Sequence, residues 1–162
     1  MQFIDLKHQY NLLEAQIETA IKKVLSHGQY IQGPEIGRLE SILADFVGVK
    51  HCISCSSGTD ALLMSMMAED IGPGDAVFTS PFTFIATAEV IKLLGATPVF
   101  VDVEKDTFNI DPLKLSKAID LCVLEKKLIP KAIIPVNIFG LLADYESIIK
   151  ISKKYNLYII ED

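Results

Sequence analysis

In the first fifty residues, apolar positions recur among polar ones with the spacing of amphipathic helices. Apolar side chains recur every three or four residues between 9 and 27, and Gly28 follows as a natural helix end. Pro34 is a favourable first helical residue, and a second apolar face runs from it to a stop at Gly48. The pattern therefore predicts two helices joined by a loop over residues 28–33.

From residue 51 onward, short apolar runs alternate with amphipathic segments, which is typical of βαβ units in a parallel sheet. Two of the apolar runs, 132–136 and 157–160, lack alternation, as expected for strands covered on both faces. We predict an α/β fold: a mainly parallel sheet with helices on both faces. The predicted strands are 51–55, 76–79, 98–102, 132–136 and 157–161, and the helices between them are 58–70, 84–94, 112–125 and 145–155.

The chain is expected to divide into an N-terminal helical segment, 1–50, and an α/β domain, 51–162. Asp111 and Asp144 are predicted to be helix N-caps. The sequence stops at Asp162, directly after the last predicted strand, whereas a strand of a parallel sheet is normally covered by a following helix. We therefore expect a larger protein whose α/β domain is incomplete at this end.

Composition and charge narrow the function classes. The 162 residues carry 15 Lys and Arg against 21 Asp and Glu, a net charge of −6, so no basic surface is expected for nucleic acid. The N-terminus lacks the apolar core of a signal peptide, and no apolar run is long enough for a membrane helix. The three cysteines are too few for a disulfide scaffold, which agrees with a reducing compartment. Together with the lack of a signal peptide, this predicts a cytoplasmic protein.

Candidate chemistry follows the strands, because ligands of open parallel sheets bind beyond the strands' carboxyl ends. Ser57-Gly58-Thr59 precedes a helix whose free amides suit one phosphate, with Ser57 as N-cap; an ordinary capped turn is the alternative. Of Phe82 and Phe84, either ring could stack on a flat heterocycle, or both could close the loop by packing.

Asp162, directly after the last strand, could pair with a protonated ring nitrogen, or it could be a solvated acid. Cys52 and Cys55 lie three apart on a predicted strand, so they point to opposite faces. No second cysteine pair or suitably spaced histidine completes a zinc site, and no metal site is predicted.

Taken together, these loops resemble the DegT-type nucleotide-sugar aminotransferases, which use pyridoxal 5′-phosphate on the fold of aspartate aminotransferase. The similarity spans nearly the whole chain in the family's order. The matching segments are FIDLK at 3–7, YIQGP at 30–34, SGTDAL at 57–62, TFIAT at 83–87, VFVD at 99–102, IPV at 134–136 with Gly140, AD at 143–144 and IED at 160–162.

The resemblance implies a role for each candidate residue. The amides of Gly58 and Thr59 would hold the cofactor phosphate, with the hydroxyls of Ser57 and Thr59 as helpers. Phe84 would stack on the pyridine ring, and Asp162 would keep the ring nitrogen protonated so that the ring can accept electrons. The chain would then be the N-terminal part of the large domain of this fold, with a substrate-entrance loop at 30–34.

The reaction implied is transfer of an amino group from glutamate to a UDP- or dTDP-linked keto-sugar, by a homodimer, in surface-polysaccharide or amino-sugar biosynthesis. Asn137 and Leu141 stand where many members have His and Gln. The family's Schiff-base lysine lies beyond Asp162, so the chain alone is expected to bind the cofactor without a covalent bond and without turnover. The alternatives are a related sugar dehydrase, with His in place of that lysine, and a non-catalytic binding or regulatory module.

Overall fold

The computed structural model describes residues 3–162, and the chain divides into two compact units, Met1–Ser54 and Cys55–Asp162. The first unit consists of helices α1 (Leu6–His27) and α2 (Pro34–Val47). Helix α1 begins three residues before the predicted start, because the Asp5 side chain accepts a hydrogen bond of 2.9 Å from the His8 amide. Gly28 and Gly48 end the two helices, as predicted, and both adopt the left-handed conformation.

The second unit is a four-stranded parallel sheet in the order β2-β1-β3-β4. Its strands are β1 (Asp75–Thr79), β2 (Thr97–Phe100), β3 (Ile129–Ile134) and β4 (Tyr158–Ile159). Its helices are α3 (Gly58–Ala68), α4 (Ala86–Leu93), α5 (Pro112–Glu125) and α6 (Tyr145–Tyr155). Asp111 and Asp144 cap α5 and α6 as predicted.

Helices cover both faces of this sheet, which confirms the predicted α/β class. Along the central strand β1, Ala76 and Phe78 face one core and Val77 faces the other. The first core takes its helical side chains from α5 and α6, and the second takes them from α3 and α4. The strands are packed between the two cores, so the loops that follow the strands begin from buried positions.

The predicted strand at 51–55 is wrong. In the part of the chain that the structure describes, these residues pair with no strand, and the Ile53 side chain is exposed. Ser54 instead donates two hydrogen bonds of 2.8 Å, from its amide and its hydroxyl, to the Glu40 carboxylate. Apolar and β-branched residues favour a strand only where a neighbouring strand takes up their backbone groups.

The bounds of several other helices and strands differ from the predicted bounds by a few residues. Strand β3 begins three residues before the predicted start and ends at Ile134, with a register shift against β1 between Ala76 and Val77.

Cys52, Cys55 and Cys122 are free thiols. Over residues 3–162, no helix is both long and apolar enough to cross a membrane.

Candidate functional site

The strands β1, β3 and β4 direct their carboxyl ends toward one cleft of about 440 Å³, a volume in the range of small-molecule sites. The N-terminus of α3 forms its other wall. Four of the five residues predicted from the sequence line this cleft, namely Gly58, Thr59, Phe84 and Asp162. The remaining lining residues are Leu62, Thr83, Ala86, Thr87, Val136, Asn137 and Ile138.

The α3 wall offers backbone donors. Among the described residues, the Gly58 and Thr59 amides donate no hydrogen bond, as is usual in the first turn of a helix. A side chain at Gly58 would meet no atom within 4 Å, so space for a ligand adjoins this backbone. These amides and the helix dipole make the turn suitable for an anion.

Ser57 is not among the lining residues and instead caps α3. Its hydroxyl accepts from the Asp60 amide at 3.1 Å and donates to the Asp60 carboxylate at 3.0 Å. The Ser56 hydroxyl donates to the same carboxylate oxygen. These two hydroxyls lower the pKa of the Asp60 carboxyl. Ser57 thus orients the first turn, while the neighbouring amides face the cleft.

Asp60→Asn is expected to make the free energy of unfolding less dependent on pH in the acid range. Because the folded-state pKa of Asp60 is lowered, its stabilisation is present above the unfolded pKa of about 4 and is lost as pH falls through the folded pKa. Urea unfolding from about pH 5 to pH 2 measures this change. Ser56→Ala should reduce the dependence in part, and parallel pH profiles for all three proteins would contradict the assignment.

The two phenylalanines of the β1–α4 loop differ in their surroundings. The Phe84 ring lines the cleft and is 72% exposed, so it can receive a flat ligand. The Phe82 ring packs against Phe108 and Phe139, with centroids 5.5 and 6.0 Å away. Only Phe84 is therefore placed for stacking in the cleft. The sequence pattern alone did not decide which of the two rings would stack on a ligand.

Asp162 is fixed at both its backbone and its side chain. Its amide donates to the Pro135 carbonyl at 3.1 Å, and its carbonyl accepts from the Asn137 amide at 2.9 Å. Its carboxylate accepts a hydrogen bond of 2.6 Å from the Thr87 hydroxyl, which is 1% exposed. The carboxylate is thereby held beside the cleft.

Asn137 links the loop after β3 to the end of β4. Its side-chain amide donates to Glu161 at 2.8 Å and to the Tyr145 hydroxyl at 3.2 Å, and its side-chain oxygen accepts from the Ala143 amide at 2.9 Å. Burial raises the pKa of the Tyr145 hydroxyl. All the side-chain polar groups of Asn137 are therefore used within the loop.

Thr83 and Thr87 were missed as individual site residues by the sequence analysis. Thr87 lies in the first turn of α4 and Thr83 lies four positions earlier, in the loop before the helix; their hydroxyl oxygens are 3.0 Å apart. Both belong to the segment 83–87 that carries the family resemblance, in which the resemblance implies a role for Phe84 alone. The contact with Asp162 joins residues 75 positions apart and is visible only in the folded chain.

In the first unit, the loop 28–33 carries two exposed apolar side chains, Tyr30 and Ile31. Gly33 is required there, because a side chain would lie 2.4 Å from the Gln29 carbonyl oxygen. The role of this loop in substrate entrance stays a prediction.

Comparison with known proteins shows which family the chain is similar to. The model of the DegT/DnrJ/EryC1/StrS aminotransferase family matches residues 11–162. A Pseudomonas aeruginosa protein named UDP-2-acetamido-2-deoxy-3-oxo-D-glucuronate aminotransferase is 50% identical over the whole chain, which covers 43% of that relative. The chain thus spans about two fifths of the length of the curated relatives it matches.

Solved structures give the same result for the fold. A family aminotransferase from Brucella abortus superposes on the whole chain with a TM-score of 0.97 and 51% identity, and 43% of that chain is covered. NtdA from Bacillus subtilis, solved with bound cofactor PMP, has a TM-score of 0.86 and 32% identity, with 93% of this chain and 33% of that chain covered.

Proposed function

The chain belongs to the DegT/DnrJ/EryC1/StrS aminotransferase family, and from this premise we propose that its α/β unit binds pyridoxal 5′-phosphate within a nucleotide-sugar aminotransferase. One observation supports the proposal most directly. A single cleft contains two amides without acceptors, an exposed aromatic ring and a hydrogen-bonded carboxylate, the groups needed for a phosphate, a flat ring and a cationic ring nitrogen.

The described residues fit the cofactor in size and in chemistry. One capped helix N-terminus suits a single phosphate, and the open space beside Gly58 allows close approach to the backbone. Phe84 offers an exposed ring face, and Asp162 offers an acceptor oxygen. When bound, the cofactor would accept the electron pair that is left when a proton is removed from the carbon next to the amino group.

Each residue then has one task. The Gly58 and Thr59 amides, with the Thr59 hydroxyl, bind the phosphate and fix one end of the cofactor. Phe84 packs against the ring and excludes water from that face. The Asp162 carboxylate holds the proton on the ring nitrogen, because an anion within hydrogen-bond distance favours the protonated form. Ser57 orients the first turn of α3 through its cap.

We propose glutamate as the amino donor and a UDP- or dTDP-linked 3-keto sugar as the acceptor. The name of the Pseudomonas aeruginosa relative, which specifies a UDP-linked 3-oxo sugar acid, supports this class. The complete protein, supplied with glutamate and a panel of UDP- and dTDP-keto-sugars, should release 2-oxoglutarate with at least one of them. No release with any member would contradict the proposed substrate class.

The proposed assembly is a cytoplasmic homodimer. Three adjacent rings, Phe82, Phe108 and Phe139, are 42% to 68% exposed and form an apolar patch suited to a subunit contact. Three free thiols fit a reducing compartment.

Phe84→Ala is expected to weaken binding of pyridoxamine phosphate to this chain by about 10-fold, because the stacking surface is lost. Pyridoxamine phosphate is chosen because it needs no covalent bond to the protein. Isothermal titration calorimetry measures the change. Phe82→Ala removes a ring of the same loop from outside the cleft and should leave the affinity within about twofold.

This pair of variants decides whether the cleft is the cofactor site. Equal losses in both variants would indicate a general effect on the loop and would contradict the stacking role of Phe84. Failure of the unsubstituted chain to bind pyridoxamine phosphate would contradict the proposed cofactor site itself.

A further inference from the structure

Two threonines of the cleft lining form a hydrogen-bonded relay that ends on Asp162. The Thr87 hydroxyl lies 2.6 Å from Asp162 Oδ2, and an ionised carboxylate can only accept, so Thr87 is the donor. A hydroxyl has one proton, so Thr87 must accept from Thr83, whose hydroxyl oxygen is 3.0 Å away. The direction is therefore Thr83 to Thr87 to Asp162.

The relay uses one of the two carboxylate oxygens. Within residues 3–162, no donor contacts Asp162 Oδ1, so this oxygen remains available to the cleft. Thr87 is 1% exposed and lies in the first turn of α4, which packs on the sheet through Val90 and Ile91. A donor held this firmly restricts rotation of the carboxylate, and a hydrogen bond to an ion is stronger than one between neutral groups.

We propose that Thr87 is a positioning residue for cofactor recognition: its hydroxyl orients the Asp162 carboxylate so that Oδ1 meets the protonated ring nitrogen. Thr83 supports it by orienting the Thr87 hydroxyl. This inference rests on the proposed function, since it needs a ligand with a basic ring nitrogen in the cleft. Neither threonine touches the reacting atoms in this role.

The test compares two ligands and two substitutions at Thr87 in this chain. The ligands are pyridoxamine phosphate and its 1-deaza analogue, in which CH replaces the ring nitrogen. Thr87→Val keeps the shape of the side chain but removes the donor, and it should weaken pyridoxamine phosphate binding about 10-fold. The same substitution should change binding of the analogue less than twofold, because the analogue does not use Asp162. Thr87→Ser keeps the donor and should restore the affinity.

A second measurement follows the ring nitrogen directly. The ¹⁵N NMR signal of bound, ring-labelled pyridoxamine phosphate should move toward the neutral form in Thr87→Val and return in Thr87→Ser. Thr79→Val is the matched control, because Thr79 is also fully buried and donates a single hydrogen bond, of 2.8 Å, to the Ile134 carbonyl. It should leave both the signal and the affinity unchanged.

The outcomes separate this inference from the proposed function. If the unsubstituted chain binds pyridoxamine phosphate more tightly than the analogue, this result supports the proposed cofactor site, whatever the effect of the substitutions at Thr87. Equal losses for both ligands in Thr87→Val, or no loss for either, would then overturn the positioning role alone. If the unsubstituted chain binds neither ligand, the proposed function fails and the inference fails with it.

Discussion

Replacing Asp162 with asparagine is expected to weaken pyridoxamine phosphate binding to this chain by about 10- to 100-fold. The substitution keeps the size of the side chain, and the oxygen of the new amide can still accept from Thr87. It removes the negative charge that pairs with the ring nitrogen, and a hydrogen bond between charged groups contributes about 1.5–3 kcal/mol. Isothermal titration calorimetry with pyridoxamine phosphate measures the loss.

Two controls make this prediction specific. Glu161→Gln removes the neighbouring charge, which is exposed and does not line the cleft. The new amide oxygen can still accept from Asn137, so the affinity should change less than about twofold. Inorganic phosphate should compete equally well in Asp162→Asn and in the unsubstituted chain, because the α3 amides bind it. A loss of the same size in Glu161→Gln would point to net charge and not to a contact with the ring nitrogen.

Much of the site could be predicted because parallel strands place the residues that follow them at one edge of a sheet. Gly58, Phe84 and Asp162 are far apart in sequence, yet each follows an apolar run or precedes a helix, and the topology brings all three to one cleft. The caps at Asp111 and Asp144 were predictable for a local reason, since a short acidic side chain accepts from amides two or three residues ahead.

Other features depend on partners that no local pattern reveals. The segment 51–55 has the composition of a strand, but its structure depends on whether another strand lies beside it. The contact between Thr87 and Asp162 depends on the packing of α4 against the sheet, and a threonine in a helix gives no sign of which distant group it will meet. The choice between Phe82 and Phe84 likewise required the positions of Phe108 and Phe139.

The geometry of the cleft depends on β1, because the loop that carries Phe84 begins where this central strand ends. Phe78 is the largest fully buried side chain of the unit and lies in the core formed with α5 and α6. Phe78→Ala is expected to lower the free energy of unfolding by about 4 kcal/mol, through lost burial and the cavity left behind. That is a large part of the total stability of a domain, so cofactor binding should weaken as the folded fraction falls.

Urea unfolding followed by circular dichroism measures this loss, and Phe100→Ala is the matched control. Phe100 is on the edge strand β2 and is 53% exposed, so truncating it should cost about 1 kcal/mol or less. Equal losses at the two positions would mean that β1 is no more important to the core than the edge of the sheet. A large loss at Phe78 alone would show that the central strand, where the loop with Phe84 begins, contributes more to the stability of the core than the edge strand does.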